Sequence, residues 1–73
     1  MEKLIDLSWY DAHDGPVYGT AIVEYTRYDD EEDGTIVNEV INVFLPEHVH
    51  SSQFHELKKH AIEAFHNGEG YNM

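Results

Sequence analysis

Three segments of alternating apolar and polar residues, separated by two short turn sequences, limit this chain to a small set of folds. The segments are "KLIDLSWY" (3–10), "VYGTAIVEYTRY" (17–28) and "TIVNEVINVFL" (35–45). A period of two, with many β-branched and aromatic residues, predicts β-strands. Turn residues separate them: Asp14-Gly15-Pro16, and an acidic run that ends at Gly34. Such short connections favour antiparallel neighbours, so the sequence predicts a meander of two hairpins.

One helix is predicted after Pro46, over residues 52–66. Ser51 or Ser52 can cap its N-terminus, and Asn67-Gly68 supplies a stop signal. Its apolar residues lie on one stripe: Phe54, Leu57, Ala61, Ala64 and Phe65. Residues 68–73 are expected to form a loose tail. The predicted fold is therefore a single α+β domain over 1–73, with a three-stranded antiparallel meander and one C-terminal helix packed on one sheet face (β-β-β-α).

One helix can cover only one face of this sheet. Alternation places these residues on the covered face: Ile5, Leu7, Trp9, Ala21, Val23, Tyr25, Val37, Ile41 and Val43. It leaves these on the opposite, outer face: Leu4, Tyr18, Ile22, Tyr28, Ile36, Val40 and Phe44. A partly apolar exposed face indicates an interface, and we predict a homodimer or an apolar partner on Ile22, Ile36, Val40 and Phe44. A dimer would also stabilise a 73-residue chain that has no Cys for a disulfide.

The charge of the chain restricts its partners. Fifteen acidic residues face four basic ones, a formal net charge of −11. Such a surface repels nucleic acid and anionic membranes and attracts basic proteins or cations. Hydrophobic residues at 41% and aromatics at 12% indicate a folded domain rather than a disordered acidic tail. No signal peptide or membrane-spanning stretch is recognisable, so we expect a cytoplasmic protein.

The acidic run in "YDDEEDGT" permits three interpretations. An EF-hand loop places Asp29, Glu31 and Asp33 at positions 1, 3 and 5, but Val40 stands at position 12, where a bidentate Glu is required. A solvated hairpin tip is the second interpretation. The third is a contact for a basic protein, favoured because acids also occur along the other elements with few Lys or Arg between them. For that partner we predict the main contact at Asp29, Asp30, Glu31, Glu32 and Asp33, supported by Glu24, Asp11 and Asp14.

Catalytic and metal-binding motifs are weak. "HVH" at 48–50, with His55 nearby, suggests a metal cluster, but no HExxH arrangement or established ligand spacing accompanies it. The sequence has no Ser-His-Asp constellation with a nucleophile elbow, no phosphate loop and no Cys nucleophile. We therefore predict a protein that is not an enzyme and uses no cofactor. A small metal-binding protein remains the least favoured alternative.

The chain as a whole resembles one functional group of small proteins. The acidic run, the acid-bearing strands "KLIDLSWYD" and "TAIVEYTRYDD", and the segment "PEHVHSSQFHELKKHAIEAF" are similar in kind to phage-encoded DNA-mimic inhibitors, such as a Bacillus-phage host-takeover inhibitor of the nucleoid protein HU. The resemblance implies a non-enzymatic protein that occupies the DNA-binding surface of a basic nucleoid-associated or other host protein and blocks its DNA binding. These inhibitors share charge distribution, so the resemblance assigns no individual residue. The alternative is an antitoxin-like or other protein-interaction module that binds through the apolar outer face.

Overall fold

A computed structural model describes residues 1–72 as four antiparallel strands and one helix. In chain order these are β1 (Glu2–Asp11), β2 (Gly15–Asp30), β3 (Thr35–Phe44), a 3₁₀ turn (Ser51–Gln53), α1 (Phe54–His66) and β4 (Tyr71–Asn72). The sheet order is β3-β2-β1-β4. The α+β class and the C-terminal helix are confirmed. The three-strand prediction is wrong, because Tyr71 and Asn72 pair with Leu4 and Lys3 instead of forming a loose tail. Met73, the last residue of that predicted tail, lies outside the described residues.

The core lies between α1 and one face of the sheet. Leu57, Ala61 and Phe65 of the helix bury against five strand residues, Ile5, Leu7, Ala21, Val23 and Val43. Phe54, predicted on the same helical stripe, is instead 42% exposed. Val49 completes the core from the segment between β3 and α1, a position that the sequence patterns did not mark. Each large apolar side chain buried here contributes about 1.5–3 kcal/mol of transfer free energy.

A β-bulge in β3 changes which side chains face the helix. Glu24 pairs with Asn42 and Tyr25 pairs with Val40, so Ile41 is an extra residue without an opposite partner on β2. An extra residue shifts the alternation of the strand beyond it by one. The predicted core position of Ile41 is therefore wrong, and this side chain is 58% exposed. Val40, predicted on the outer face, packs against the core instead.

The same bulge corrects two further positions, because directly opposite residues of an antiparallel pair share a face. Val37 pairs with Tyr28 on the outer face, although alternation had placed it in the core. Ile36 pairs with Asp29 and so lies on the helix side of the sheet rather than on the outer face. Of the four residues predicted for an apolar partner face, Ile22 and Phe44 remain opposite one another on that face.

Both ends of the helical segment are closed by specific hydrogen bonds. The imidazole of His50, rather than either serine, accepts the backbone N–H of Ser52 at 3.2 Å, so the predicted serine cap is wrong. At the other end the N–H of Glu69 donates to the carbonyl of Ala64 at 3.0 Å, and that of Gly68 donates to Phe65 at 3.1 Å. This pair of bonds is the Schellman motif. It turns the chain back toward β1, where β4 pairs.

The hairpin of β2 and β3 extends well beyond the rest of the molecule. The β1 ladder ends at Glu24, with one further backbone pair between Met1 and Tyr25. Residues 26–39 therefore form a two-stranded ribbon, here called the arm, in which no residue is buried. The molecule measures 50 × 21 × 17 Å, with a radius of gyration of 14.0 Å. A compact chain of this length has a radius of gyration of about 11 Å. The remainder, which holds the core, is here called the body.

Candidate partner-binding surface

The five consecutive acids lie at the free end of the arm. Asp29 and Asp30 end β2, and Glu31, Glu32 and Asp33 occupy the turn before β3. The turn is held by a bond from the N–H of Gly34 to the carbonyl of Asp30 at 2.8 Å. Its shape also depends on the Asp30 carboxylate, which accepts the N–H of Glu32 at 3.0 Å. Four of the five acids are exposed and Asp30 is half-buried, so the arm presents a concentrated negative charge at the tip.

Asp11 and Asp14, predicted to support this contact, lie at the opposite end of the molecule. They flank the turn between β1 and β2, whereas the acidic run flanks the turn between β2 and β3. The 16 residues of β2 separate the two turns, a distance of roughly 50 Å for an extended strand. The structure therefore does not bring these two acids together with the tip.

Asp11 has a structural role of its own. Its carboxylate accepts the backbone N–H of His13 at 2.7 Å and that of Asp14 at 3.2 Å. These two bonds, helped by the nearby imidazoles of His13 and His50, hold the pKa of Asp11 below its usual value. Hydrogen bonds to the ionised form stabilise that form. The carboxylate therefore closes the turn at the body end.

Glu24 lies between these extremes, on the outer face where the arm leaves the body. It is directly opposite Glu2 on β1 and Asn42 on β3. Two further acids lie on the same face closer to the tip. Glu39 is opposite Thr26, and Asp30 is six residues beyond Glu24 on β2. Six strand residues span roughly 20 Å. Glu24 and the tip are thus connected by a row of acids on one face, here called the acidic line. It includes Glu2 and Glu39, which the predicted site lacked because their place beside Glu24 depends on the pairing register.

An apolar row crosses the outer face of the body. Leu4 pairs with Ile22 on one side and with Tyr71 on the other, and Ile22 pairs with Phe44. Phe44 is 47% exposed and Tyr71 is 51% exposed. The Tyr71 hydroxyl donates to the Asp6 carboxylate at 3.2 Å, and the negative charge of Asp6, followed by this bond, raises the pKa of Tyr71. Tyr71 was assigned to the loose tail, so its place in this row was missed.

The histidines do not converge on a metal site. Among residues 1–72, no group of three or more His, Asp or Glu side chains is arranged to hold an ion. His48 instead stacks on Trp9, with ring centroids 5.3 Å apart, and His50 accepts the bond that starts the 3₁₀ turn. The acidic run is flanked by strands, whereas an EF-hand loop is flanked by helices.

Comparison of the chain with protein-family models, curated proteins and solved structures gives no match. No helix in residues 1–72 combines the length and the apolar character needed to cross a bilayer. The candidate surface is therefore defined by geometry and charge: the acidic tip, the acidic line that leads to it, and the apolar row on the body.

Proposed function

We propose that this protein is a non-enzymatic, cytoplasmic DNA mimic that inserts its acidic arm into the DNA-binding surface of a basic host protein, such as the nucleoid protein HU, and so blocks DNA binding. The single observation that carries the proposal is the position of the acidic run at the end of a projecting, unburied ribbon. A projecting ribbon can enter a groove or cleft that normally holds a nucleic-acid strand. The contact consists of the tip and the acidic line, without Asp11 and Asp14.

The charge of the arm supports this proposal. Residues 26–39 contain six acids and one basic residue, Arg27. Side chains on one face of a β-strand recur about every 6.6 Å, roughly twice the ~3.4 Å of axis per phosphate on one strand of duplex DNA. The carboxylates of the acidic line, Glu24, Glu39 and Asp30, can therefore align with separate phosphate positions and, with the tip, occupy Lys and Arg sites of a DNA-binding protein. Complementary potentials of this kind give fast, selective association that weakens with salt.

A competition experiment tests the proposal. Labelled DNA bound by purified HU is titrated with the protein at low salt, and the released DNA is measured by fluorescence anisotropy. We expect wild-type protein to displace the DNA, less effectively as salt is raised. Neutralising the tip with Asp29→Asn, Asp30→Asn, Glu31→Gln, Glu32→Gln and Asp33→Asn should weaken displacement by at least about tenfold, equivalent to ~1.4 kcal/mol. Asn at position 30 keeps a side-chain oxygen for the turn.

The matched control removes five charges elsewhere, with Asp14→Asn, Glu47→Gln, Glu56→Gln, Glu63→Gln and Glu69→Gln. Both variants then have the same net charge of −6, since −11 plus 5 is −6. We expect the control to displace DNA nearly as well as wild type. An equal loss of displacement in the two variants would show that only net charge matters. Undiminished displacement by the tip variant would show that the acidic run is a solvated turn and not a contact.

A second function is favoured by the apolar row on the outer face. Leu4, Ile22, Phe44 and Tyr71 form a continuous strip across all four strands. In this alternative the protein is an antitoxin-like interaction module that binds an apolar partner surface. Such binding is insensitive to salt and is lost on Ile22→Ser. A pull-down from host lysate at two salt concentrations distinguishes it from binding through the arm.

A further inference from the structure

The sheet has four open edges, and three of them carry recognised protection against pairing with another strand. Short edge strands and charged side chains are the usual protections. β4, at one side, is only two residues long. The arm section of β2, Thr26–Asp30, extends beyond the β1 ladder and carries Arg27, Asp29 and Asp30. Beside β4, residues 5–11 of β1 pair only with β2 within residues 1–72, but this edge carries Asp6 and Asp11, and its Tyr10 carbonyl accepts the side-chain N–H of Gln53 at 2.9 Å. None of these three edges is therefore a favourable template for a further strand.

The fourth open edge, on β3, is long and almost uncharged. β3 is the terminal strand of the sheet, and within residues 1–72 only β2 pairs with it. Its ten residues, TIVNEVINVF, contain no Pro and no basic residue, and Glu39 is their single acid. Ile36 and Ile41 are more than half exposed. In a chain of net charge −11, such a neutral, apolar edge is unusual.

Only the body end of this edge is closed. Ile41 forms the bulge, and the N–H of Val43 donates to the side-chain oxygen of the neighbouring Asn42 at 2.9 Å. That N–H is therefore not available to a further strand. Among the residues that the structure describes, no comparable side-chain bond reaches residues 35–40. The open part of the edge is thus the section that belongs to the arm.

We propose that β3 pairs with β3 of a second copy of this chain, in antiparallel orientation, to form a continuous sheet across a two-fold axis. Charge decides between this occupant and a basic strand from another protein. A basic strand from another protein would be attracted more strongly to the charged β2 edge than to β3, which has one carboxylate. Two copies can pair at β3 without placing like charges opposite one another, provided that Glu39 does not lie opposite Glu39 of the second copy.

The antiparallel orientation also separates the acidic tips. With Asn38 near the axis, each tip lies about five residues away, so the two tips are about 30 Å apart. That distance is several times the Debye length of ~8 Å at physiological ionic strength. A parallel arrangement would place the tips side by side and is excluded by repulsion. A two-fold axis brings the same surface of both copies together, as a closed dimer requires. The outer sheet face, predicted as the dimer interface, is left free.

Analytical ultracentrifugation over a wide range of protein concentrations tests the proposal. We expect the mass to rise from the monomer value of 8.5 kDa to twice that value. The double variant Ile36→Glu, Ile41→Glu adds two like charges per copy at the edge and should weaken dimerisation by at least about tenfold. The control variant Tyr10→Glu, Tyr18→Glu adds the same charge at exposed positions on the two inner strands and should dimerise like wild type.

Amide hydrogen exchange gives a second, backbone readout. As concentration rises, amides in Thr35–Val40 should gain protection, whereas those in Thr26–Asp30 should not. A chain that stays at monomer mass at every concentration overturns the proposal and leaves the edge for a strand of a different protein. A dimer with unchanged exchange in β3, or one abolished by the control variant, overturns it in favour of the outer face. Displacement of DNA from HU is measured at protein concentrations below those of dimerisation, so its outcome does not depend on either result.

Discussion

The body and the arm belong to the same sheet but are stabilised in different ways. In the body, Ile5, Ala21 and Val23 are at most 1% exposed beneath α1. In the arm no residue is buried, and the two strands and the turn between them carry six acids. A two-stranded hairpin is marginally stable in water by itself. The arm is therefore held in place by its continuity with the body.

This difference separates two tasks within one small chain. The body supplies the free energy of folding, and the arm carries charge at a distance where its self-repulsion does not disturb the core. Where they join, the aromatic rings of Tyr25 and Phe65 pack with centroids 4.8 Å apart, and Val40 packs beside them against the core. The bulge at Ile41 is what turns Val40 inward at this junction.

The largest expected effect comes from making the same substitution in both regions. Ile5→Ala removes a core side chain that is 1% exposed, and should lower the free energy of unfolding by about 2–5 kcal/mol. Ile36→Ala removes the same atoms from the exposed arm and should change it by less than about 0.5 kcal/mol. Urea denaturation followed by circular dichroism measures both, at low protein concentration so that pairing through β3 does not contribute. Similar losses in the two variants would contradict the distinction.

A pair of glycines gives a smaller contrast. A Cβ at Gly19 would lie 2.8 Å from Pro46 Cγ and 3.0 Å from the Trp9 ring, so Gly19→Ala should cost about 1–3 kcal/mol through packing. A Cβ at Gly34 would meet no neighbouring atom, but the φ of this residue is 68°, so only the backbone conformation restricts which residue can replace it. Asn tolerates this left-handed region. Gly34→Asn should therefore cost under about 1 kcal/mol, and Gly19→Asn should cost more than Gly19→Ala. Thermal unfolding monitored by Trp9 fluorescence compares them.

The smallest expected effect concerns the turn at the body end and depends on pH. The folded pKa of Asp11 lies below its ordinary value of 3.8, because the N–H groups of His13 and Asp14 donate to the carboxylate. A carboxylate whose pKa is lowered by folding stabilises the protein at pH values above its ordinary pKa. That stability is lost as the pH falls through the pKa of the folded state. Asp11→Asn should therefore destabilise the protein at neutral pH, with the difference from wild type disappearing in acid.

Denaturation at several pH values measures this difference, with Asp14→Asn as the control. The Asp14 side chain takes no part in the two bonds to Asp11, so its substitution should leave the pH dependence close to that of wild type. A difference between Asp11→Asn and wild type that persists unchanged into acid would show that the carboxylate charge does not stabilise the turn.

How much of the fold could be predicted depended on how local its determinants are. Alternation placed Ile5, Leu7, Ala21 and Val23 correctly, because β1 and β2 are regular where they pair. It failed along β3, because Val40 and Ile41 are adjacent, similar side chains and nothing between them marks a bulge. It also missed β4, because two residues beside glycines carry no strand pattern of their own and pair with residues near the start of the chain.

The candidate site shows the same limit. The acidic run was correctly placed at a hairpin turn, since Gly34 and the flanking alternation are local signals. Asp11 and Asp14, predicted to support it, lie at the far end of β2, because successive hairpin turns of a meander lie at opposite ends of the strand that they share. Glu2 and Glu39 were missed because their relation to Glu24 and Thr26 depends on register, which is a long-range property.

The pairing of β4 with β1 has a consequence for the order of folding. Leu4 and Tyr71 are neighbours in the sheet although 67 positions separate them in the chain. The two hairpins and α1 form from nearby residues, whereas this ladder closes a loop that includes nearly all of them, and long loops are slow to close. β4 can dock only after the helix and its Schellman turn are in place. We therefore expect it to be the last element to assemble and the first to open, so that its amides exchange by local opening, faster than those of the strands over the core.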